Sequence, residues 1–234
     1  NKSSKERISA CVPMHTFGMM CRIEEILDLC NQWNIPLVED AAEAFGSQSN
    51  NKFAGSFGLI NAFSFNGNKI ITAGGGGLVC SNLESLANQA KHLSTTAKVG
   101  HSWEYFHDSL GYNFRMPNIN AAIALAQLES FSSIVDSKKE IFKEYQKFFY
   151  SSSIKLINPI DNNLWNHWLF SVSLDNREER NAFLKYTNEN GVMTRPIWNL
   201  LFRLPMYEYC LRDDQKNAIY LEERIVNLPS GARL

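Results

Sequence analysis

Short strand-like apolar runs alternate with amphipathic helical periods over the first ~130 residues, and this restricts the chain to an α/β layer with mostly parallel strands. Residues 8–12, 36–39, 60–65 and 78–80 read as the strands. Between the first two, Ile23, Ile26, Leu27, Cys30 and Trp33 recur at helical spacing, so a helix is predicted over 22–34, and Pro36 breaks it. Asn82 is the expected N-cap of a second helix, with Leu83, Leu86, Ala87, Ala90 and Leu93 on one face.

Residues 94–117 have no period and are rich in aromatics, including Trp103, Tyr105, Tyr112 and Phe114. Such a stretch inside a compact domain is more often functional than idle. Asn118 opens a long helical region. Its first part, 121–128, is small and apolar, as in a buried helix; its second carries Ile134, Phe142, Tyr145 and Phe149 on one face and suits a bridge between domains. Beyond it, 165–174 reads as a strand, 177–190 as a helix ended by Gly191, 192–198 as extended and 218–226 as a short helix. The expected division is a larger α/β part, 1–128, and a small α+β domain, 129–234, entered by the bridging helix.

Composition removes several classes of function. Lys plus Arg is 23 and Asp plus Glu 24, a net charge of −1, without the basic excess of a phosphate-binding nucleic-acid partner. No apolar run approaches the ~18 residues of a membrane-spanning helix. Residues 1–7 are polar, with no apolar stretch behind them of the kind a secretory signal needs. The five cysteines are odd in number and none forms a C-x-x-C pair, which fits buried free thiols in a reducing cytoplasm. His101, His107 and Asp108 lack a second ligand pair at a recognised spacing, so no metal is expected.

The residues that carry chemistry gather at strand ends. Asp40 closes one predicted strand, Ser64 lies near the end of the next, Lys69 follows, and Gly74 to Gly77 come after it. In an open α/β sheet, ligands bind at the carboxyl ends of strands. A phosphate loop would place its lysine after the last glycine and before Ser or Thr; here Lys69 precedes the glycines and Ile70 follows it. Pyridoxal phosphate fits better. Its aldehyde takes a lysine, its ring nitrogen a carboxylate and its phosphate hydroxyls and N–H groups. A simple ion pair between a buried lysine and a carboxylate remains the alternative.

The runs Val38-Glu39-Asp40-Ala41-Ala42-Glu43-Ala44-Phe45-Gly46, Gly55-Ser56-Phe57-Gly58, Phe63-Ser64-Phe65-Asn66-Gly67-Asn68-Lys69 and Gly74-Gly75-Gly76-Gly77 together resemble the DegT-type nucleotide-sugar aminotransferases, which are fold-type I pyridoxal phosphate enzymes. A finer likeness, carried by residues 64–72, 95–98 and 188–198, is to the subgroup acting on UDP-linked 4-keto-6-deoxy-N-acetyl sugars on the way to legionaminic acid or related diamino sugars. The resemblance implies the C-terminal portion of the large domain plus a small α+β domain, in a cytoplasmic homodimer with shared active sites.

It also implies roles. Lys69 would be the Schiff-base lysine and proton shuttle. Asp40 would pair with the ring nitrogen, Ala42 would pack under the ring, and Ser64 would bind the phosphate. Asn113 would reach the phosphate of the neighbouring subunit. Glu43 would join the cofactor site where many relatives have His or Gln. His15 and Arg195 would face the substrate, against structural readings as a loop histidine and a surface ion pair. The implied reaction moves an amino group, from glutamate, to the 4-keto carbon of a UDP-sugar. A sugar dehydratase of the same family would replace the lysine with histidine, so Lys69 argues for transamination. The other class of reading is a non-catalytic remnant or a dimerising or binding module. Because the chain starts at Asn1 close to a predicted strand, it reads as one opened partway through a domain. As given, it is expected to bind the cofactor weakly and to associate.

Overall fold

A computed structural model describes residues 6–160 and 163–233. The elements in chain order are α1 (Ile23–Gln32), β1 (Val38–Asp40), β2 (Gln48–Ser49), β3 (Lys52–Phe53), β4 (Ile60–Ser64), β5 (Gly77–Cys80), α2 (Glu84–Ser94), α3 (Asn118–Glu129) and α4 (Phe131–Phe149). They continue with β6 (Lys155–Leu156), β7 (Asn163–Leu164), β8 (Ser171–Ser173), α5 (Arg177–Glu189), β9 (Arg195–Pro196), α6 (Lys216–Glu222) and β10 (Ile225–Asn227). The chain forms two units. The first takes in the described residues up to Ser133 and those of 159–168; the second takes in Ile134–Asn158 and the described residues from Leu169.

In the first unit β1 runs parallel to β4, and β5 lies antiparallel on the far side of β4. The strand expected at 8–12 is shifted. The N–H of Cys11 donates to Pro36 O, that of Val38 to Cys11 O, that of Asp40 to Pro13 O and that of His15 to Asp40 O, so residues 11–15 make the ladder beside β1. Pro13 accepts here without needing to donate, which is how a proline sits in such a ladder. Helix α1 turns Ile23 and Cys30 into a core with Met20, Leu37, Ala41, Ala44 and Ala54, while Trp33, expected on that face, lies exposed beyond its end. Asn50 and Asn51 both take positive φ between β2 and β3, the backbone a two-residue hairpin requires. β7 then adds to the other edge of β2.

Two helical expectations change. Asn82 does not cap α2: the Oγ of Ser81 accepts the N–H of Leu83, and Asn82 instead donates to Ser56 O. Helix α3, expected to be buried, has no buried residue among those described; Ile119, Ile123, Leu125 and Leu128 all face outward. Four apolar side chains on a helix say that the helix needs cover, not that this chain supplies it.

The second unit is built on an antiparallel sheet ordered β6-β8-β10-β9. Phe170, Val172 and Val226 are fully buried in it, and Phe142 of α4 packs on Phe170. Asn176 caps α5, its side chain accepting the N–H of Glu179 at 2.8 Å, and Gly191 takes φ +79° just past the helix end. The strand expected over 165–174 is only β8, because 165–168 belong to the first unit and make their hydrogen bonds within it. The helix expected over 218–226 stops at Glu222, and the β-branched pair Ile225 and Val226 passes into β10. Of the cysteines only Cys30 is buried; Cys210 is exposed, and all five are free thiols.

Candidate active site

Asp40 closes β1 opposite Ala62 of its parallel neighbour β4, and Ser64 closes β4 two residues further on. Both therefore stand at carboxyl ends of adjacent strands. Asp40 Oδ1 accepts the N–H of Ala42 at 3.1 Å, which leaves Oδ2 unengaged among the described residues. Ser64 Oγ accepts the N–H of Asn66 at 3.2 Å and keeps its own proton to donate.

The lysine loop springs from this end of β4. The N–H of Lys69 donates to Asn66 O, and the loop closes where Ala73 donates to Phe65 O and Phe65 to Gly76 O. Gly74 and Gly76 take φ of +77° and +88°, which side chains rarely allow. Ile70, Ile71 and Ala73 are buried and root the loop, so that Lys69 is presented from a fixed base.

The Lys69 side chain is only 13% exposed, and its Nζ lies 3.6 Å from Glu43 Oε1. Glu43 Oε2 accepts the N–H of Phe17 at 2.8 Å, from a residue held at φ 60°. Burial pushes the Glu43 carboxyl above its ordinary range, and the nearby Asp40 charge adds to this; the Phe17 N–H and the Lys69 ammonium only partly offset it. On another side of Lys69, the Trp168 ring centre is 4.5 Å from Nζ, and the indole Nε1–H donates to Asn68 O at 2.7 Å. Trp168 was not among the residues singled out by sequence; it sits in a segment that reads as an ordinary strand, and no spacing links it to Lys69.

His15 requires a correction. It was expected to face the substrate, but it is wholly buried and both ring nitrogens are engaged. Its Nε2 pairs with Glu39 Oε2 at 3.0 Å, and its Nδ1 accepts the N–H of Cys21 at 3.3 Å. Glu39 is equally buried, and its carboxylate also accepts the N–H groups of Gly55, Phe57 and Gly58 at 2.6–2.8 Å. Burial alone would push this carboxyl up; the His15 bond and the three N–H groups outweigh it and hold it below the ordinary range. Glu39 thus ties the Gly55–Gly58 turn to the strand that ends in Asp40. Its place in an apolar run gave no hint of that.

Ala42, half-buried, follows Asp40 at the strand end. Asn113 is exposed, in a bridge with Thr95, its Oδ1 accepting from Arg115 at 2.9 Å. Arg195 belongs to the second unit, on β9, where it donates to Asn188 Oδ1 and Thr194 O.

The DegT/DnrJ/EryC1/StrS aminotransferase family model matches residues 2–234. The chain belongs to this family. Among relatives in the family's range, a GDP-perosamine synthase of Vibrio cholerae is 34% identical over 98% of this chain and 62% of its own length. One from Escherichia coli O157:H7 is 36% identical over 97% of the chain and 61% of its own length. The UDP-4-amino-4,6-dideoxy-N-acetyl-beta-L-altrosamine transaminase of Campylobacter jejuni is 34% identical over 59% of the chain and 38% of its own. The chain thus spans about three-fifths of the length of the perosamine synthases it matches. Helicobacter pylori PseC, described as an aminotransferase in the biosynthesis of pseudoaminic acid, superposes with a TM-score of 0.93 at 23% identity, over 100% of this chain and 64% of its own. The DegT-family fold is therefore the fold of this chain: mixed α/β, with the aminotransferase arrangement expected from sequence.

Proposed function

We propose that this chain carries the lysine side of the active site of a pyridoxal phosphate-dependent nucleotide-sugar aminotransferase. The observation that supports this most is Lys69, held on a rooted loop beside Glu43, with Asp40 and Ser64 closing two adjacent parallel strands. These residues fit the cofactor. Lys69 offers an amine for its aldehyde, Asp40 an unengaged carboxylate oxygen for its ring nitrogen, Ser64 a free hydroxyl proton for its phosphate, and Ala42 a small side chain beside the ring. When bound, the cofactor supplies an electron sink for the carbon that gains or loses the amine.

The chain's own residues do the rest. Asp40 holds a proton at the ring nitrogen. The Lys69 amine takes a proton from one carbon and returns it to another. Glu43, whose carboxyl burial pushes above its ordinary range, lies beside that amine. Asn113 would serve the phosphate of a partner subunit in a homodimer, and Arg195 would pair with an anionic group of the substrate.

The amino acceptor in this reading is a 4-keto-6-deoxy sugar on a nucleoside diphosphate, with glutamate as donor. UDP is supported by the runs at 64–72, 95–98 and 188–198 and by the altrosamine transaminase. GDP is the second reading, favoured by perosamine synthases matched along nearly the whole chain. The test assays amine transfer from glutamate to UDP- and GDP-linked 4-keto-6-deoxy sugars, with Lys69→Ala and Asp40→Asn beside the native chain. Lys69→Ala is expected to abolish transfer with the fold kept. Asp40→Asn should lower turnover ~100-fold or more, on the scale of a lost acid–base group, while reducing cofactor retention far less. Native turnover in Lys69→Ala would sink the assignment.

A further inference from the structure

A lysine that must react at a defined point has a difficulty: four flexible carbons carry its amine. Glu43 lies 3.6 Å from Nζ, too far to fix its direction as a hydrogen bond would. The other wall is Trp168, 3% exposed, with its ring 4.5 Å from Nζ. A ring face attracts an ammonium and prefers it centred. The same side chain also donates its indole N–H to Asn68 O at 2.7 Å, one residue before Lys69.

The two walls share one frame. Asn166 Oδ1 accepts the N–H of Trp168 at 3.0 Å, while its Nδ2 donates to Glu43 O at 2.7 Å and Phe45 O at 3.1 Å. One buried amide thus sets the spacing between the carboxylate and the indole. We propose that Trp168 is a positioning residue for Lys69, its ring aiming the amine and its N–H anchoring the loop that carries it. This rests on the reading of Lys69 as the reacting lysine.

The bland reading is that Trp168 only fills space, and two substitutions separate the two. Trp168→Phe keeps a ring and loses the Asn68 bond; Trp168→Leu keeps apolar bulk and loses the ring. The readout is competitive acetylation of the full chain without cofactor, with mass spectrometry giving Lys69 labelling relative to the exposed Lys185. If Trp168 holds the amine against its walls, labelling of Lys69 should rise ~2–3-fold in Trp168→Phe and ~5–10-fold in Trp168→Leu. In transfer assays kcat should fall with KM little changed, as misplacing a reacting group does. A ratio within ~1.5-fold of native in both variants, with melting temperature lowered, would mean Trp168 is packing alone and would overturn the proposal. Should Trp168→Leu not fold, Trp168→Phe decides by the same limits. The labelling needs no cofactor and no turnover, so native activity in Lys69→Ala would remove the role of Lys69 without disturbing this readout.

Discussion

Glu39 and Glu43 are four residues apart, both buried, and pushed in opposite directions. Glu39 has four donors and is held ionised; Glu43 has one good donor and a lysine at 3.6 Å, and burial prevails. Their contributions to stability therefore depend on pH in opposite senses. A lowered carboxyl such as Glu39 contributes stability above its ordinary value of 4.5, and the contribution is lost as pH falls through its folded value. A raised one such as Glu43 contributes below 4.5 and loses the contribution as pH rises through its folded value. Glu39→Gln should cost about 1–3 kcal/mol near neutral pH, because His15 and the N–H groups of Gly55, Phe57 and Gly58 then face a poorer acceptor in a buried site. Urea unfolding measured from pH 7 down to about 2.5 should show that gap narrowing below 4.5; a gap that stays constant throughout would mean the carboxylate charge is not what those donors hold. Sequence made Asp40, Ser64 and Lys69 legible because the chemistry of each is carried by its residue type. It did not make Glu39 legible, since a carboxylate inside a strand shows its worth only through the N–H groups of a turn 16–19 residues later.

At the scale of elements, two asparagines make the same point about local and distant partners. Asn176 caps α5 from next door, and Asn176→Ala should cost about 1 kcal/mol. Asn166 reaches carbonyls more than 120 residues away, and Asn166→Ala leaves two of them without a donor, at about 1–3 kcal/mol each. Urea unfolding of both variants, followed by tryptophan fluorescence, should rank Asn166→Ala clearly below Asn176→Ala; equal losses would show that those carbonyls find other donors. Gly18 marks the same junction. A Cβ there would lie 2.1 Å from Asn166 Oδ1, and its φ is +83°. The elements that periodicity read well, α1, α5 and β4, are those whose partners are decided by their own faces. Those it misread are decided elsewhere: 165–168 by the backbone carbonyls of Phe17 and Asn68 and the hydroxyl of Ser47, and α6 by the pull of Ile225 and Val226 into a sheet. Helix α2 starts from Leu83 without a side-chain cap, and the Ser81 hydroxyl accepts the Leu83 N–H just ahead of it.

For the whole molecule, the apolar residues left in solvent matter most. Ile119 is 76% exposed, Leu125 58% and Val79 53%, on α3 and β5 of the first unit. Large apolar side chains left this exposed favour association. Light scattering should show mass rising with concentration, and Ile119→Lys with Leu125→Lys should flatten that rise; an unchanged profile would place the association elsewhere. The hydrogen bonds that complete each unit also come late in the chain. Trp165 donates to Phe17 O across 148 residues, and the N–H of Asn166 reaches Ser47 Oγ across 119. In the second unit Ser137 and Arg233 bond each other in both directions, Lys138 reaches Ser230 O, and Tyr145 reaches Pro229 O. On a ribosome this imposes an order. The first unit cannot close until residue 168 is out of the exit tunnel, and by then the whole of α4, the opening helix of the second, has already been made. While it waits, the β2–β3 hairpin without β7 and the uncovered helix α3 are the face the nascent chain shows to the cell, so chaperone capture belongs to the interval between the making of α3 and the emergence of residue 168.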